Sequence, residues 1–457
     1  MSNAPDVIIL AAGKGTRMHS AQPKVMHQIA GKPMLQYVLE TAVDLDATTI
    51  SVVYGHGGEQ VPQAFAGWDV RWVRQDEQLG TGHAALQALP HIGADGVTLV
   101  LYGDVPLLQV ETLRRLVSLC QGDRLAILTL MLDEPAGYGR IVRNDNGNIA
   151  RIVEEKDATD DQKRIREINT GVMAIPSADL RRWLPVLENR NRQAEYYLTD
   201  IVRLAAAEGV GIVSLQPDDE NEVLGINDRR QLAQAERAVQ QRAANRLLLE
   251  GVTLLDPARM DVRGQLSCGY DVSIDIGCVF LGQVELGDRV QVGPYCVLKD
   301  VVVRDDTVIA AFSHLDGAEI GENTRIGPFA RLRPGTRLAA GVHIGNFVEI
   351  KNSQVEYDSK INHLSYVGDS VIGHTVNIGA GTITVNYDGV NKNRTVIGND
   401  VFVGSGSELV APVTIGDGAT IAAGSTITHD APAGKLTIAR ERQVTHPTWT
   451  RPQRKAK

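Results

Sequence analysis

Two spacings of hydrophobic residues divide the chain. Up to about residue 227, short apolar runs alternate with stretches in which apolar residues recur every three or four positions. Val7–Leu10, Ile50–Tyr54, Val97–Tyr102 and Ala126–Leu132 read as buried strands, with helices at Met34–Val43 and Glu111–Leu119 between them. Strands alternating with amphipathic helices predict a parallel α/β sheet. From Asp228 to Glu250, Leu232, Ala235, Val239, Ala243 and Leu247 recur at helical spacing among Arg, Gln and Glu, which predicts a connecting helix over 228–250.

Beyond residue 251 a period of six takes over. Ile320, Ile326, Leu332, Leu338, Ile344 and Ile350 stand six apart, as do Ile397, Val403, Leu409, Ile415, Ile421 and Ile427; Leu286, Val292 and Leu298 form a shorter run. The next residue is often Gly or Ala, as at Gly321, Gly327, Gly345, Gly398 and Gly404. A period of six cannot follow one face of a helix. It fits short strands separated by turns, each sending one aliphatic side chain into a shared core. Three strands make a triangular coil of about 18 residues, and stacked coils make a parallel β-helix. The expected fold is α/β plus all-β: a Rossmann-like domain, a linker helix and a β-helix.

A length of 457 residues and 43% apolar composition leave room for two sizeable cores, and 45 scattered glycines fit a chain rich in tight turns. A net charge of −9 argues against nucleic acid as a partner, and the basic run Arg451–Lys457 reads as a solvated tail. Cys120, Cys268, Cys278 and Cys296 have no CxxC spacing and read as free thiols. No secretory leader or apolar run long enough to span a membrane is evident, so the expected location is the cytoplasm.

The stretch Leu10-Ala11-Ala12-Gly13-Lys14-Gly15-Thr16-Arg17-Met18 follows the first strand and precedes Pro23-Lys24. Small residues admit phosphates close to backbone N–H groups, and Lys14, Arg17 and Lys24 can neutralise them. A Gly-rich turn alone is often structural; three cations within eleven residues favour phosphate binding. The P-loop pattern is absent, and Met18 stands where a dinucleotide fingerprint needs its third glycine. Tyr102-Gly103-Asp104 ends the strand Val97–Tyr102, putting a carboxylate at the sheet edge where open α/β sheets bind ligands.

The loop resembles the sugar nucleotidylyltransferase signature LxxGxGTRM…PK. The family's reaction is in-line attack of a sugar 1-phosphate on the α-phosphate of a nucleoside triphosphate, catalysed by positioning and charge neutralisation. Nearly the whole chain is similar to the bifunctional N-acetylglucosamine-1-phosphate uridylyltransferase / glucosamine-1-phosphate N-acetyltransferase family. That resemblance implies that 1–227 form the uridylyltransferase domain and 251–457 the acetyltransferase domain, the latter a left-handed β-helix. It implies Arg17 and Lys24 as catalytic cations and a UTP/UDP-sugar site formed by Leu10, Ala11, Ala12, Gly13, Lys24, Gln75, Gly80, Thr81, Tyr102, Gly103, Asp104, Gly139, Glu154, Asn169 and Asn227. Asp104 and Asn227 would hold Mg²⁺, a hard cation suited to oxygen ligands. The partners implied are small-molecule substrates and two further copies of the chain in a homotrimer.

In the β-helix, residues 18 apart are expected to stack. Arg333 and Lys351 are 18 apart, both in the slot usually held by Gly or Ala. Stacked cations at the sheet spacing of about 4.8 Å repel, which an anion between them would relieve. Ser405 and Ala423 also stack, making a strip of small residues. The period breaks between Ile350 and Ile397, around His363, Asn377, Ala380 and the polar excursion Asn386-Tyr387-Asp388-Gly389, and function is commonly grafted on such irregularities. Acyl transfer to an amine needs a base, and an imidazole titrates near neutrality. The resemblance implies His363 as that base; Arg333, Lys351, Tyr366 and Asn377 on glucosamine-1-phosphate; and Ala380, Asn386, Tyr387, Ser405, Ala423 and Arg440 on acetyl-CoA. Two departures are local: Asn362 where a small residue is usual, and Val385 where Cys is frequent. Two other readings remain open at this point: a nucleotidylyltransferase with a structural tail, and a non-enzymatic subunit of the kind found among translation-initiation exchange factors.

Overall fold

The computed structural model describes residues 4–13, 15–55, 58–120 and 124–453, so Lys14 and the last four residues of the basic tail lie outside the described residues. The chain divides into two compact units, Met1–Val239 and Gln240–Lys457. None of the described helices is long and apolar enough to cross a membrane.

Unit 1 is built on a nine-stranded sheet: β1 (Asp6–Leu10), β2 (Thr49–Tyr54), β3 (Arg71–Arg74), β4 (Val97–Tyr102), β5 (Arg124–Met131), β6 (Gly139–Arg143), β7 (Ile149–Val153), β8 (Glu167–Pro176) and β9 (Gly211–Leu215). The order is β9-β5-β8-β4-β1-β2-β3, with the β6–β7 hairpin attached to β8. Alternation along the strands fills two cores. Val7, Ile9, Leu99 and Leu101 face one core with Leu35, Val38 and Leu113 of the helices Met34–Asp44 and Val110–Leu119. Ile8, Leu10 and Val100 face the other with Ala84 and Ile201.

The sheet is not wholly parallel, contrary to the expectation from sequence. β8 runs antiparallel to both β4 and β5. The β6–β7 hairpin reverses the chain before it re-enters the sheet. Polar Asn169-Thr170-Gly171 interrupts the apolar run of β8 where its register on β5 shifts, which hides the strand from a hydrophobicity count.

The helix Arg229–Leu249 carries the chain from one unit to the other. In unit 1, Leu232, Ala235 and Val239 pack with Ile29, Met34, Leu107 and Ile226. In unit 2, Ala244 and Leu247 join the β-helix core, while Gln240 bonds both the N–H and C=O of Val262.

Unit 2 is a three-faced parallel β-helix. One face is an 11-stranded sheet; the other two merge into a 16-stranded sheet through Val297–Val303, which pairs with His314–Asp316 along its first half and with Ala318–Ile320 along its second. The six-spaced aliphatics line the core, each at most 4% exposed. The coil is not a constant 18 residues. On one face Ile326, Ile344, Ile361, Ile378, Val403 and Ile421 stack at offsets of 18, 17, 17, 25 and 18. The apparent break in period is thus a pair of 17-residue coils followed by one insertion, not a loss of the fold. Ile361 is fully buried between Ile344 and Ile378. Ile361→Ala is expected to destabilise unit 2 by about 2–5 kcal/mol, read as a lower denaturant midpoint for its unfolding.

Candidate active sites

In unit 1 the strand order turns at β1 and β4, and a cavity of about 470 Å³ opens beyond their C-terminal ends. The loop after β1 is anchored by Ala11 N–H to Val53 O (2.8 Å), and the turn after β4 by Gly103 N–H to Leu10 O (2.9 Å). Gly15 has φ +59, and a Cβ there would stand 2.7 Å from Lys24 Cβ. That contact seats the 3₁₀ turn Thr16–Met18 against Lys24 and leaves Arg17 exposed at the cavity. Gly80, φ +111, opens the helix Thr81–Ala88 where a Cβ would strike Tyr196 O at 2.6 Å.

Leu10, Ala11, Ala12, Gly13, Arg17, Lys24, Gln75, Gly80, Thr81, Tyr102, Asp104 and Asn227 all line this cavity. Lys24 is 9% exposed, and its ammonium pairs with Asp104 Oδ2 and donates to Asn227 Oδ1 at 2.8 Å. The two oxygens expected to hold a metal therefore converge on one cation, here the lysine's own. Asn227 is steadied by its N–H to Gln231 Oε1 (2.7 Å). Gln75 is locked through Nε2 to Gly80 O (3.3 Å) and His83 Nδ1 (3.0 Å).

Gly103, Gly139, Glu154 and Asn169 do not line the cavity but sit behind or beside it. Gly103 packs between Val25 and Ala11. Asn169 is the register partner of Gly139, beside which lies the Glu154 carboxylate. Burial raises the Glu154 pKa, against the Thr199 hydroxyl that donates to it at 2.9 Å. Tyr102 joins the two regions: burial, then the charges of Glu154 and Asp104, raise its phenol. Sequence reasoning missed Gln78, whose Nε2 donates to Ala12 O at 2.6 Å, and Glu195; both line the cavity. Gln78 lies between Gln75 and Gly80 in the chain, whereas Glu195 comes close only through the fold.

In unit 2, hydrogen bonds trace one corner from coil to coil: Leu364 N–H to Asn346 O, Gly381 N–H to His363 O, Gly406 N–H to Ala380 O and Gly424 N–H to Ser405 O. Asn346, His363, Ala380, Ser405 and Ala423 therefore stand in one column. His363 lies in line with the small-residue strip. Arg440 lies at the far end, donating to Ala423 O at 2.7 Å. Asn377 instead pairs in register with Lys360 on the adjoining face.

A second cluster gathers Arg333, Lys351, Tyr366 and Asn386. The stacking of Leu332 on Ile350 puts Arg333 over Lys351, but neither cation is unpaired. Arg333 donates to Glu349 at 2.9 Å, and Lys351 lies 3.5 Å from Asp369. Glu349 and Asp369 thus already offset the repulsion between the two stacked cations. The insertion supplies what restores positive excess: Tyr387 bridges to Lys392, bringing Lys392 back onto Lys351. The Lys351 ammonium beside it pushes the Lys392 pKa down, a conflict an anion would relieve. Tyr387 itself is exposed. Of the two departures from the family pattern, Val385 ends the strand Ile383–Val385, and Asn362 buries an Oδ1 without a hydrogen-bond partner.

Fold and sites define a nucleotidyltransferase continued into a hexapeptide-repeat transferase. Residues 7–252 match the model of the MobA-like NTP transferase domain, and 317–352 and 394–429 match the bacterial transferase hexapeptide model of six repeats. The chain is 59% identical over 449 residues to the bifunctional protein GlmU of Methylobacillus flagellatus, covering 98% of this chain and 97% of that protein. It is 58% identical over 449 residues to that of Dechloromonas aromatica (98% and 99% covered) and 57% over 452 to that of Cupriavidus pinatubonensis (99% and 100%). It belongs to the GlmU family and is a bifunctional transferase with uridylyltransferase and acetyltransferase activities.

Asp369 ties this cluster together, accepting from Asn352 and Asn386 and pairing with Lys351. Burial would raise its carboxyl, but these partners outweigh burial and hold it below the usual range. A depressed carboxylate stabilises the fold above its unfolded pKa of about 3.9, and that stability is lost as pH falls through the lower folded value. Asp369→Asn is expected to melt below wild type at pH 7, with the deficit narrowing below about pH 4.

Proposed function

We propose that residues 251–457 acetylate the amine of glucosamine-1-phosphate with acetyl-CoA, and that residues 1–227 then join the product to UMP from UTP, releasing pyrophosphate; 228–250 is the linking helix. The observation that carries this reading is the column His363, Ala380, Ser405, Ala423, which supports a base in line with a strip for an extended acyl donor. A merely structural tail would have no use for it.

In the acetyl-transfer step the sugar phosphate lies among Arg333, Lys351 and Lys392, with Tyr366 and Asn377 toward the sugar. Ala380, Ser405, Ala423 and Arg440 carry acetyl-CoA, and Asn386 and Tyr387 support its pocket. The amine nitrogen attacks the thioester carbonyl while His363 Nε2 takes the amine proton. The C–N bond forms, the C–S bond breaks, and coenzyme A leaves as the thiol.

In the uridylyl step a phosphate oxygen of N-acetylglucosamine-1-phosphate attacks the α-phosphorus of UTP, and the bond to pyrophosphate breaks. Leu10 to Gly13 give backbone close to the phosphates, and Gln75, Gly80 and Thr81 take the uridine. Gly139, Glu154 and Asn169, with Tyr102 and Gly103, bound the sugar side. Mg²⁺ held by Asp104 and Asn227 would neutralise triphosphate charge. The convergence of both oxygens on the Lys24 ammonium supports the fit, since that geometry already accommodates a cation. Lys24, freed from Asp104, and Arg17 then face the transferring phosphoryl group.

One crossed experiment tests both sites. Asp104→Ala should abolish UDP-sugar formation and spare acetylation. His363→Ala should lower acetyl-transfer turnover by about 10²–10⁴-fold, leave KM values and uridylyl transfer unchanged, and be partly rescued at high pH, where more substrate amine is free. Arg333→Ala should raise KM for glucosamine-1-phosphate with no rescue at high pH. Loss of both activities in a folded Asp104→Ala protein would overturn the two-site reading.

The location that fits these substrates is the cytoplasm, and the assembly is a homotrimer, since a three-faced prism packs readily about a three-fold axis. Sedimentation at micromolar concentration should give a trimer; a stable monomer would contradict it.

A further inference from the structure

Asn346 stands one coil before His363 in the column of unit 2. Its strand His343–Asn346 pairs in parallel with Lys360–His363, and the register ends on Asn346 against His363. Asn346 Oδ1 lies 2.7 Å from His363 Nδ1. The coils close tightly here: a Cβ on Gly345 would stand 1.9 Å from Asn362 O, so only glycine lets the two strands approach. The main chain of His363 is also held, its carbonyl accepting from Ser365 Oγ at 2.8 Å and from Gly381 N–H at 3.1 Å. Rotation of the ring is the freedom that remains, and the Asn346 bond removes it.

We propose that Asn346 is a positioning residue for acetyl transfer, fixing the ring orientation and tautomer of His363. An amide oxygen only accepts, so the bond requires the proton on Nδ1 and leaves the lone pair on Nε2. Nε2 is then the atom that takes the proton of the attacking amine. With the tautomers reversed, an N–H would face the amine and nothing would accept its proton. The charged groups that act on the neighbouring His343 are cationic: its pKa is lowered first by burial and then by Arg325, Lys360 and His363. A neutral amide orients the imidazole in this setting without placing a carboxylate beside it.

The inference rests on His363 being the base, and the test separates the two. In the full-length protein, Asn346→Ala should lower kcat for acetyl transfer by about 10- to 100-fold, the scale of loss when the partner orienting a metal-bound imidazole is removed. KM for glucosamine-1-phosphate and acetyl-CoA should hold, as should uridylyl transfer. The ¹⁵N spectrum of the His363 ring should lose its Nδ1–H signature. Asn346→Asp, which keeps an acceptor oxygen, should recover most of the turnover, with the acid limb of kcat displaced to higher pH than in the wild type. A wild-type kcat and unchanged tautomer in Asn346→Ala would overturn the inference, as would an Asn346→Asp protein that folds but is no better than Asn346→Ala. If His363→Ala itself keeps turnover, the base assignment falls and this inference with it; if only Asn346→Ala does, the inference alone falls.

Discussion

Each coil of the C-terminal unit is hydrogen-bonded in parallel to the next, and its aliphatic side chains are sealed in a continuous core. This ladder converts distance along the chain into height along the prism at about 4.8 Å per coil. Functional groups are therefore positioned by how many residues each coil spends before returning to the same corner. Asn346, His363, Ala380, Ser405 and Ala423 share a corner because the offsets between them are 17, 17, 25 and 18. Coils of different length still return to this corner, because the parallel ladder re-forms on either side of the insertion.

The N-terminal unit solves its positioning problem at a sheet edge. β1 and β4 end side by side, so the loop bearing Arg17 and the turn bearing Asp104 open on the same cavity. Asn227 is more than a hundred residues further along the chain, yet shares the Lys24 ammonium with Asp104. Two half-buried side chains facing a buried ammonium make a site whose charge is balanced before any ligand arrives.

Charge in the C-terminal cluster follows similar logic. Arg333 and Lys351 each have a carboxylate, Glu349 and Asp369, so the pair alone carries no net excess. The insertion changes that balance by returning Lys392 to Lys351. Asp369 holds Lys351, Asn352 and Asn386 at once, so it ties the cationic cluster to the base of the insertion. The excursion is where extra residues leave the coil without disturbing the ladder, since Ile372 still stacks on Ile397 across it.

Periodicity alone determined the β-helix, because a core shared by stacked coils demands an aliphatic residue at every turn of the prism. The loop after β1 and the carboxylate after β4 were equally legible, because a strand's end and its small residues are local features. The 18-residue rule found Arg333 over Lys351 and Ser405 beside Ala423, where the coils do have that length. It pointed past Asn346 to Gly345 as the neighbour of His363, and it separated Ala380 from Ser405. Those adjacencies depend on 17-residue coils and on the insertion, which a fixed period cannot express. The antiparallel β8, the Glu349 and Asp369 partners, Lys392, Glu195 and the meeting of Lys24 with Asn227 were decided by tertiary structure. Each joins groups whose proximity depends on backbone closure elsewhere, so no local pattern in the chain records it.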